Sequence, residues 1–365
     1  MADIVKDATD YRIKQIEIAE EKYYKTLIAT LDRIEREVVE LANRDLKKTT
    51  DGRLIELQAA IAIRPKIKAI LDREYLAWSD TVVREGFTKQ AKRVEKAFKG
   101  VLERARQKNR ITAKDLAVFS ELTKGDLALV QNLKQQFFTQ FKDVSNTFTR
   151  RLSEKVYQNT LVGNSFVELE KELRQTINGI FASSDSPEIN KLISKVKKGD
   201  DQITTLLNPF RDQNKNVPLK IQKRVQKIEN TIKKDKQILQ TKFARDRAGE
   251  NMRRYASQIL NDSLREFDAT LNFNKANDAG LTFVKYFGDV IPTTRQICRD
   301  LINGVLNRRP NGLFTIDEVK RLWASRSWSG KKSGDPLFVR GGYNCRHQWS
   351  YVNPNWYNKK GELII

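Results

Sequence analysis

The chain has 365 residues, 39% hydrophobic and 31% charged, enough for about two domains with real cores. Its 68 Lys+Arg against 46 Asp+Glu leave a formal charge of +22, a surplus suited to nucleic acid, an acidic protein surface or an anionic membrane, or to solvated helical faces. No stretch approaches the ~20 apolar residues of a membrane span, and two cysteines, Cys298 and Cys345, exclude a disulfide scaffold at this length and fit a reducing cytoplasm.

The N-terminus, Met-Ala-Asp-Ile-Val-Lys, has no basic segment followed by an apolar one, so no secretory signal is expected. The first ~150 residues read as helix. Tyr24, Leu27, Leu31, Ile34, Val38 and Leu41 step by three and four, a heptad seam. Thr49-Thr50-Asp51-Gly52 breaks it. A second helix has Pro65 near its start and Ile67, Ile70, Leu71, Tyr75 and Trp78 on one face. A third covers about 80–107, and Thr112 caps a fourth carrying Leu116, Phe119 and Leu122. Phe137, Phe138, Phe141 and Phe148 fit helical-core packing better than a binding cleft.

Near residue 150 a helix through Leu152, Val156 and Leu161 ends at Gly163. Ser165 and Glu168 form a capping-box pattern for a helix with Val167, Leu169, Leu173 and Ile177. A polar loop, Ala182 to Pro187, follows. Lys191 to Arg254 is the most basic part, with 18 Lys/Arg against 7 Asp/Glu. Phe210 and Pro218 mark a loop within it, and Ile221, Val225, Ile228 and Ile232 give the next helix one apolar face. Lys220, Lys223, Arg224, Lys227, Lys233 and Lys234 on its outer side are candidates for phosphate contact, which needs cation density rather than base-reading geometry. A long helix from about Phe243 to Leu271 turns Tyr255, Ile259, Leu264 and Phe267 inward.

After Gly280 the pattern shortens. Thr282 to Phe287 alternates as a strand. Thr293 with Gln296 caps a short helix carrying Cys298 and Leu301, and Thr315 with Glu318 caps another ending near Trp323. Ser325–Asp335 is a loop, Tyr343–Val352 a final strand, and the tail after Pro354 a surface extension. The expected fold is α+β and mostly helical. It divides into an N-terminal helical arm for partner binding (1–150), a helical domain with a small C-terminal β-element (151–353) and a tail (354–365).

The segment Tyr286 to Val352 carries Asp289, then Arg295-Gln296-Ile297-Cys298, Asp300 and Asn303-Gly304, and closes on Gly341-Gly342-Tyr343-Asn344-Cys345-Arg346-His347-Gln348-Trp349. This order resembles the C-terminal signature of the phage Mu F-like head-morphogenesis family: an acidic residue, Arg-x-x-Cys, a Gly-containing turn and a closing Cys-Arg-His beside a hydrophobic strand. Leu161 to Ser165 with Glu168-Leu169 resembles the family's helix, Gly-x-Ser, helix element, and the likeness covers about 150–352. It implies a non-enzymatic minor head protein at the portal vertex, kept in the virion, with portal or capsid protein and packaged DNA as partners. The chain departs from the family in two places. Leu301 stands where many members have a second cysteine, and Arg340-Gly341-Gly342 replaces a His-containing loop.

Read from the residues alone, Cys298, Cys345 and His347 are three soft ligands that could hold zinc, with Asp300 or another carboxylate needed as a fourth. A buried cysteine pair, reduced or bridged, is the competing reading, and no cofactor is set. On a straight strand Cys345 and His347 would lie ~6–7 Å apart, too far for a nucleophile–base pair. The chain's lone histidine, without a Lys-Ser/Thr phosphate loop, gives no other catalytic constellation. Arg295 and Arg346 either contact DNA phosphate or a portal carboxylate, or pair with Asp289 or Asp300 to tie the β-element to its helix, the reading favoured here. The alternative function is a basic nucleic-acid-binding protein with a Cys/His zinc knuckle.

Overall fold

The computed structural model describes residues 3–179, 187–211, 218–248, 251–292, 294–306, 309, 312–358, 360 and 362–365, with the side chains of 117–120, 187–190, 193, 197, 200, 204, 208–211 and 236–248 outside that description. Apolar residues spaced by three and four produce helices along most of it. These are α1 (Ile4–Asp45), α2 (Leu57–Ala62), α3 (Arg64–Leu71), α4 (Ala77–Thr81), α5 (Phe87–Gln107), α6 (Ala113–Ser120), α7 (Lys124–Val162), α8 (Phe166–Asn178), α9 (Pro187–Arg211), α10 (Leu219–Ala248) and α11 (Met252–Asp278). π-helical turns at Asp72–Leu76 and Val82–Gly86 join α3, α4 and α5. The rest alternates strand and helix: β1 (Phe283–Phe287), α12 (Gln296–Ile302), β2 (Phe314–Thr315), α13 (Ile316–Ala324), α14 (Pro336–Val339) and β3 (Gln348–Val352). The fold is mostly helical α+β, with one antiparallel sheet in the order β2-β1-β3. No helix among the described residues is long and apolar enough to cross a membrane.

Two compact units form, each from separated stretches of chain. The first comprises Met1–Ala29, Tyr75–Val144 and Ala256–Ile365; the second comprises Thr30–Glu74 and Ser145–Tyr255. Residue 150 lies inside α7, so a boundary there would cut a helix.

In the first unit, β1 pairs with β3 over five residues, Phe283 opposite Val352 and Tyr286 opposite Trp349. Val284, Tyr286, Trp349 and Val352 of this sheet are buried with Cys298, Leu301, Trp323 and Leu337 from the surrounding helices. Trp356, Tyr357 and Ile365 belong to the same core, at 1%, 7% and 1% exposure. The expected surface tail is thereby corrected: two aromatic rings and the terminal Ile365 side chain gain more by burial than the segment loses in chain freedom. On the helical side Phe87 stacks on Phe267 with ring centroids 4.7 Å apart, and Tyr75, Trp78 and Phe141 cluster edge-on. The buried Arg12–Asp268 pair is completed by Gln90 Nε2, which donates to Asp268 at 2.8 Å. That third group matters because a buried carboxylate is costly unless its lone pairs are satisfied.

In the second unit, Leu31, Ile34, Val38 and Leu41 of α1 are buried as the seam required. The Thr49–Gly52 break is a tight turn with Gly52 at φ +82° and a bridge between Lys48 and Leu54. Gly163 ends α7 at φ +70°, and Ser165 and Glu168 form a full capping box for α8, which buries Leu169, Leu173 and Ile177 but leaves Val167 73% exposed. Gly199 of α9 is buried beneath Ile232 of α10, so these two helices pack closely.

Local corrections follow from capping and pairing. The expected helix from Phe243 is two helices, α10 ending at Ala248 and α11 starting at Met252, and Leu260 rather than Ile259 faces inward. The N-cap of α12 is Arg295, without a side-chain cap. Thr293, the loop at 182–186 and the side chains of Phe119, Phe210 and Phe243 lie outside the described residues. Thr315 does cap α13 in a box with Glu318, whose carboxylate takes two hydrogen bonds from Arg309 at 2.5 and 2.8 Å. The Arg309 guanidinium, and after it the Thr315 amide, hold Glu318 down to about 2 against its slight burial. A lowered carboxylate contributes stability above its unfolded value of about 4.3, and loses that contribution as pH falls through about 2. Thr315→Ala is expected to destabilise the first unit by about 1 kcal/mol in urea unfolding at pH 7; an unchanged midpoint would remove the cap from the account.

Candidate functional site

Residues 47 positions apart meet in the first unit. Cys298 comes from the first turn of α12, and Cys345 and His347 from the turn before β3. Their sulfur and nitrogen atoms lie within 4.8 Å of one another, all three residues are buried, and among the described residues they are the cluster of this kind. The sulfurs are 4.0 Å apart, and Cys345 Sγ is 3.5 Å from His347 Nδ1. The expected separation of Cys345 from His347 is overturned. Pairing of β3 begins only at Gln348, and Asn344 at φ +56° bends the chain just upstream, so the two side chains converge.

The surroundings orient these groups. His347 Nε2 lies 3.2 Å from the Asp289 carbonyl oxygen, which can only accept. Nε2 therefore donates to it, and Nδ1 faces the sulfurs. Gly288, at φ +140°, lies against the imidazole, where a Cβ would be 3.2 Å from His347 Cα and closer still to the ring. Gly341 gives room to the sulfurs: a Cβ there would overlap Cys298 Sγ and sit 2.9 Å from Cys345 Sγ. Gly342 lies over the Gly330 carbonyl. The hydrogen bond from the Cys298 thiol favours the Cys345 thiolate against its burial, helped by His347 and the buried Arg340. The same bond, together with burial, pushes Cys298 up.

The geometry fits a cation. With Zn–S near 2.3 Å and Zn–N near 2.0 Å, a tetrahedral site has S···S edges of about 3.8 Å and S···N edges of about 3.5 Å. The Cys298–Cys345 and Cys345–His347 edges, 4.0 and 3.5 Å, are close to these, and the Cys298–His347 edge is within 4.8 Å. A disulfide would need the sulfurs to close to about 2 Å. A recess of about 60 Å³ beside the cluster, lined by Asp289, Thr294, Arg295, Asn344 and Arg346 among others, has room for a few waters.

The other sequence candidates take different places. Arg295 donates to two backbone carbonyls, Ser329 O at 3.0 Å and Tyr343 O at 2.8 Å, and thereby ties the loop and the turn to the start of α12. Its expected pairing with Asp289 or Asp300 is therefore corrected: the nearby turns present unsatisfied carbonyls, and Arg is well suited to forking between them. Asp300 accepts from Gln296 at 2.6 Å and is not a member of the donor cluster, so the proposed fourth carboxylate does not come from it. Arg346 is exposed and lines the recess with Arg295. Trp349 is buried and donates to Pro336 O at 3.2 Å. Sequence reasoning missed Tyr286, whose ring centroid lies 4.5 Å from that of Trp349 and whose hydroxyl lies against both sulfurs. It also missed Arg340, buried at φ +52° and donating to Arg265 O and Phe338 O.

In the second unit Lys220, Lys223, Arg224, Lys227, Lys233 and Lys234 are all exposed on α10, and none has an ion-pair partner among the described residues. Lys220, Lys223, Lys227 and Lys234 step by three, four and seven, forming one stripe of about 21 Å opposite the buried Val225 and Ile232. Arg224 and Lys233 flank it. No protein-family model, no curated protein and no solved structure matches this chain.

Proposed function

We propose that this chain is a minor head protein of a tailed bacteriophage, made in the host cytoplasm and built into the head at the portal vertex. It binds portal or capsid protein, and the α10 stripe touches packaged DNA through its phosphates without reading sequence. Its role is assembly rather than catalysis. The observation that carries this reading is the convergence of the motif: Cys298, Gly341, Gly342, Cys345 and His347, residues on which the family resemblance rests, gather at one buried node, with the half-buried Arg295 at its edge. A motif that acts as a structural node is what an assembly protein needs.

Zinc is the metal we assign to that node. Two thiols and an imidazole form a soft donor set that hard cations such as Mg²⁺ and Ca²⁺ do not favour. The cation would tie α12 to the segment leading into β3. The test of the assembly role is co-expression with the portal protein of the same phage, followed by affinity capture of the portal. Retention of this chain at 0.5 M salt is the expected outcome. Quantitative loss, with strong DNA binding preserved, would favour the second reading, a free nucleic-acid-binding protein with a zinc knuckle, to which the unpaired lysine stripe also lends support.

A further inference from the structure

We infer that Tyr286 supplies the fourth donor of the metal centre, through its hydroxyl oxygen, and so closes the site. The inference rests on the zinc reading above and goes beyond it, because a closed four-donor site is a staple, whereas three protein ligands and an exchangeable water are the arrangement of a catalytic zinc.

The argument begins with register. Tyr286 sits in β1 directly opposite Trp349 in β3, two residues beyond His347. Its side chain lies on the buried face of the sheet, at 4% exposure. The hydroxyl lies 3.3 Å from Cys345 Sγ and 3.6 Å from Cys298 Sγ, and these two sulfurs are its hydrogen-bond contacts among the described residues. A tetrahedral zinc with an oxygen donor near 2.0 Å has S···O edges of about 3.5 Å. Both distances fall on that value. Four of the six edges therefore lie near tetrahedral values: S···S, the Cys345–His347 S···N and two S···O.

No Asp, Glu or further Cys or His joins the cluster among the described residues. Charge also favours a neutral fourth ligand. Zn²⁺ with two thiolates has no net charge, so a carboxylate, charged at neutral pH before it binds, would carry a desolvation cost into the buried site that an uncharged phenol does not carry in. Loading releases to solvent the protons that the donor groups give up and involves no electron transfer.

The full chain loaded with Co²⁺ in place of zinc tests this. The wild-type chain is expected to show tetrahedral ligand-field bands that azide does not move. Tyr286→Phe is expected to weaken zinc binding by roughly tenfold or more and to make the Co²⁺ bands azide-sensitive, because water takes the vacated corner. An azide-sensitive spectrum in the wild-type chain would overturn the inference without any variant needing to fold, and so would unchanged affinity and bands in Tyr286→Phe. Failure of the wild-type chain to take up either metal would instead remove the zinc reading, and this inference with it.

Discussion

The zinc-loaded chain is expected to lose on the order of 10 °C in melting temperature when the metal is chelated, and Cys345→Ser is expected to melt at the chelated temperature whether or not zinc is added. The magnitude follows from linkage. A ligand that binds only the folded state at a thousand times its dissociation constant stabilises by about 4 kcal/mol. For a unit of this size each kcal/mol moves the midpoint by roughly 2–4 °C. Cys345 is the sensitive choice because it touches every other donor. Its sulfur lies 4.0 Å from Cys298, 3.5 Å from His347 and 3.3 Å from Tyr286. Serine keeps the volume but is a poor zinc ligand at neutral pH. Arg346→Ala, at an exposed position one residue away, is the control and should leave the chelation shift intact. Differential scanning fluorimetry with and without chelator reads the result. A wild-type midpoint indifferent to both zinc and chelator would defeat the metal reading, and a midpoint that falls only with a thiol reductant would identify a disulfide instead.

What the sequence made legible was local. Ser165 with Glu168 and Thr315 with Glu318 are capping boxes in the structure because the hydrogen bonds that define them span three residues. The heptad seam of α1 is legible for the same reason: burial at Leu31, Ile34 and Val38 follows from spacing on one helix. The assembly of units was not legible. Residues 3–29 join 256–365 through pairs such as Arg12 with Asp268 and Thr9 with Ser350, and no local pattern announces a partner more than 250 residues away. The candidate site divides along the same line. The donor types of Cys298, Cys345 and His347 can be read directly, but their separation cannot, because the strand-like run from Tyr343 hides a turn at Asn344 and pairs only from Gln348. Tyr286 stayed hidden because strand alternation marks it only as inward-facing, which is equally true of a core tyrosine. The aromatic pair Trp356–Tyr357 was a usable signal that the C-terminal residues pack rather than extend.

Charge reversal at Lys223, Arg224, Lys227 and Lys234 is expected to flatten the salt dependence of duplex DNA binding by about three to four in the log–log slope, since each neutralised phosphate contributes roughly 0.9. Between 50 and 200 mM salt, four contacts alone weaken affinity by about two decades, and the reversed chain should lack that dependence. Two features make α10 the element to test. The stripe runs straight along one face with no acidic residue pairing it among the described residues, so its field is not spent within the protein. The opposite face is anchored through the buried Val225 and Ile232, so reversal at exposed positions should leave helicity and melting unchanged. Lysine ammonium groups on a single helix are point charges rather than bidentate readers of base edges, so exchanging the DNA sequence should alter affinity little while the reversal alters it greatly. Filter binding across a salt series measures both. Identical slopes for the wild-type and reversed chains would reduce the stripe to surface solvation. The same variant also separates the two partners proposed for this chain: if portal capture survives the reversal while DNA affinity collapses, assembly and DNA contact use different surfaces, and the lysine stripe belongs to the second alone.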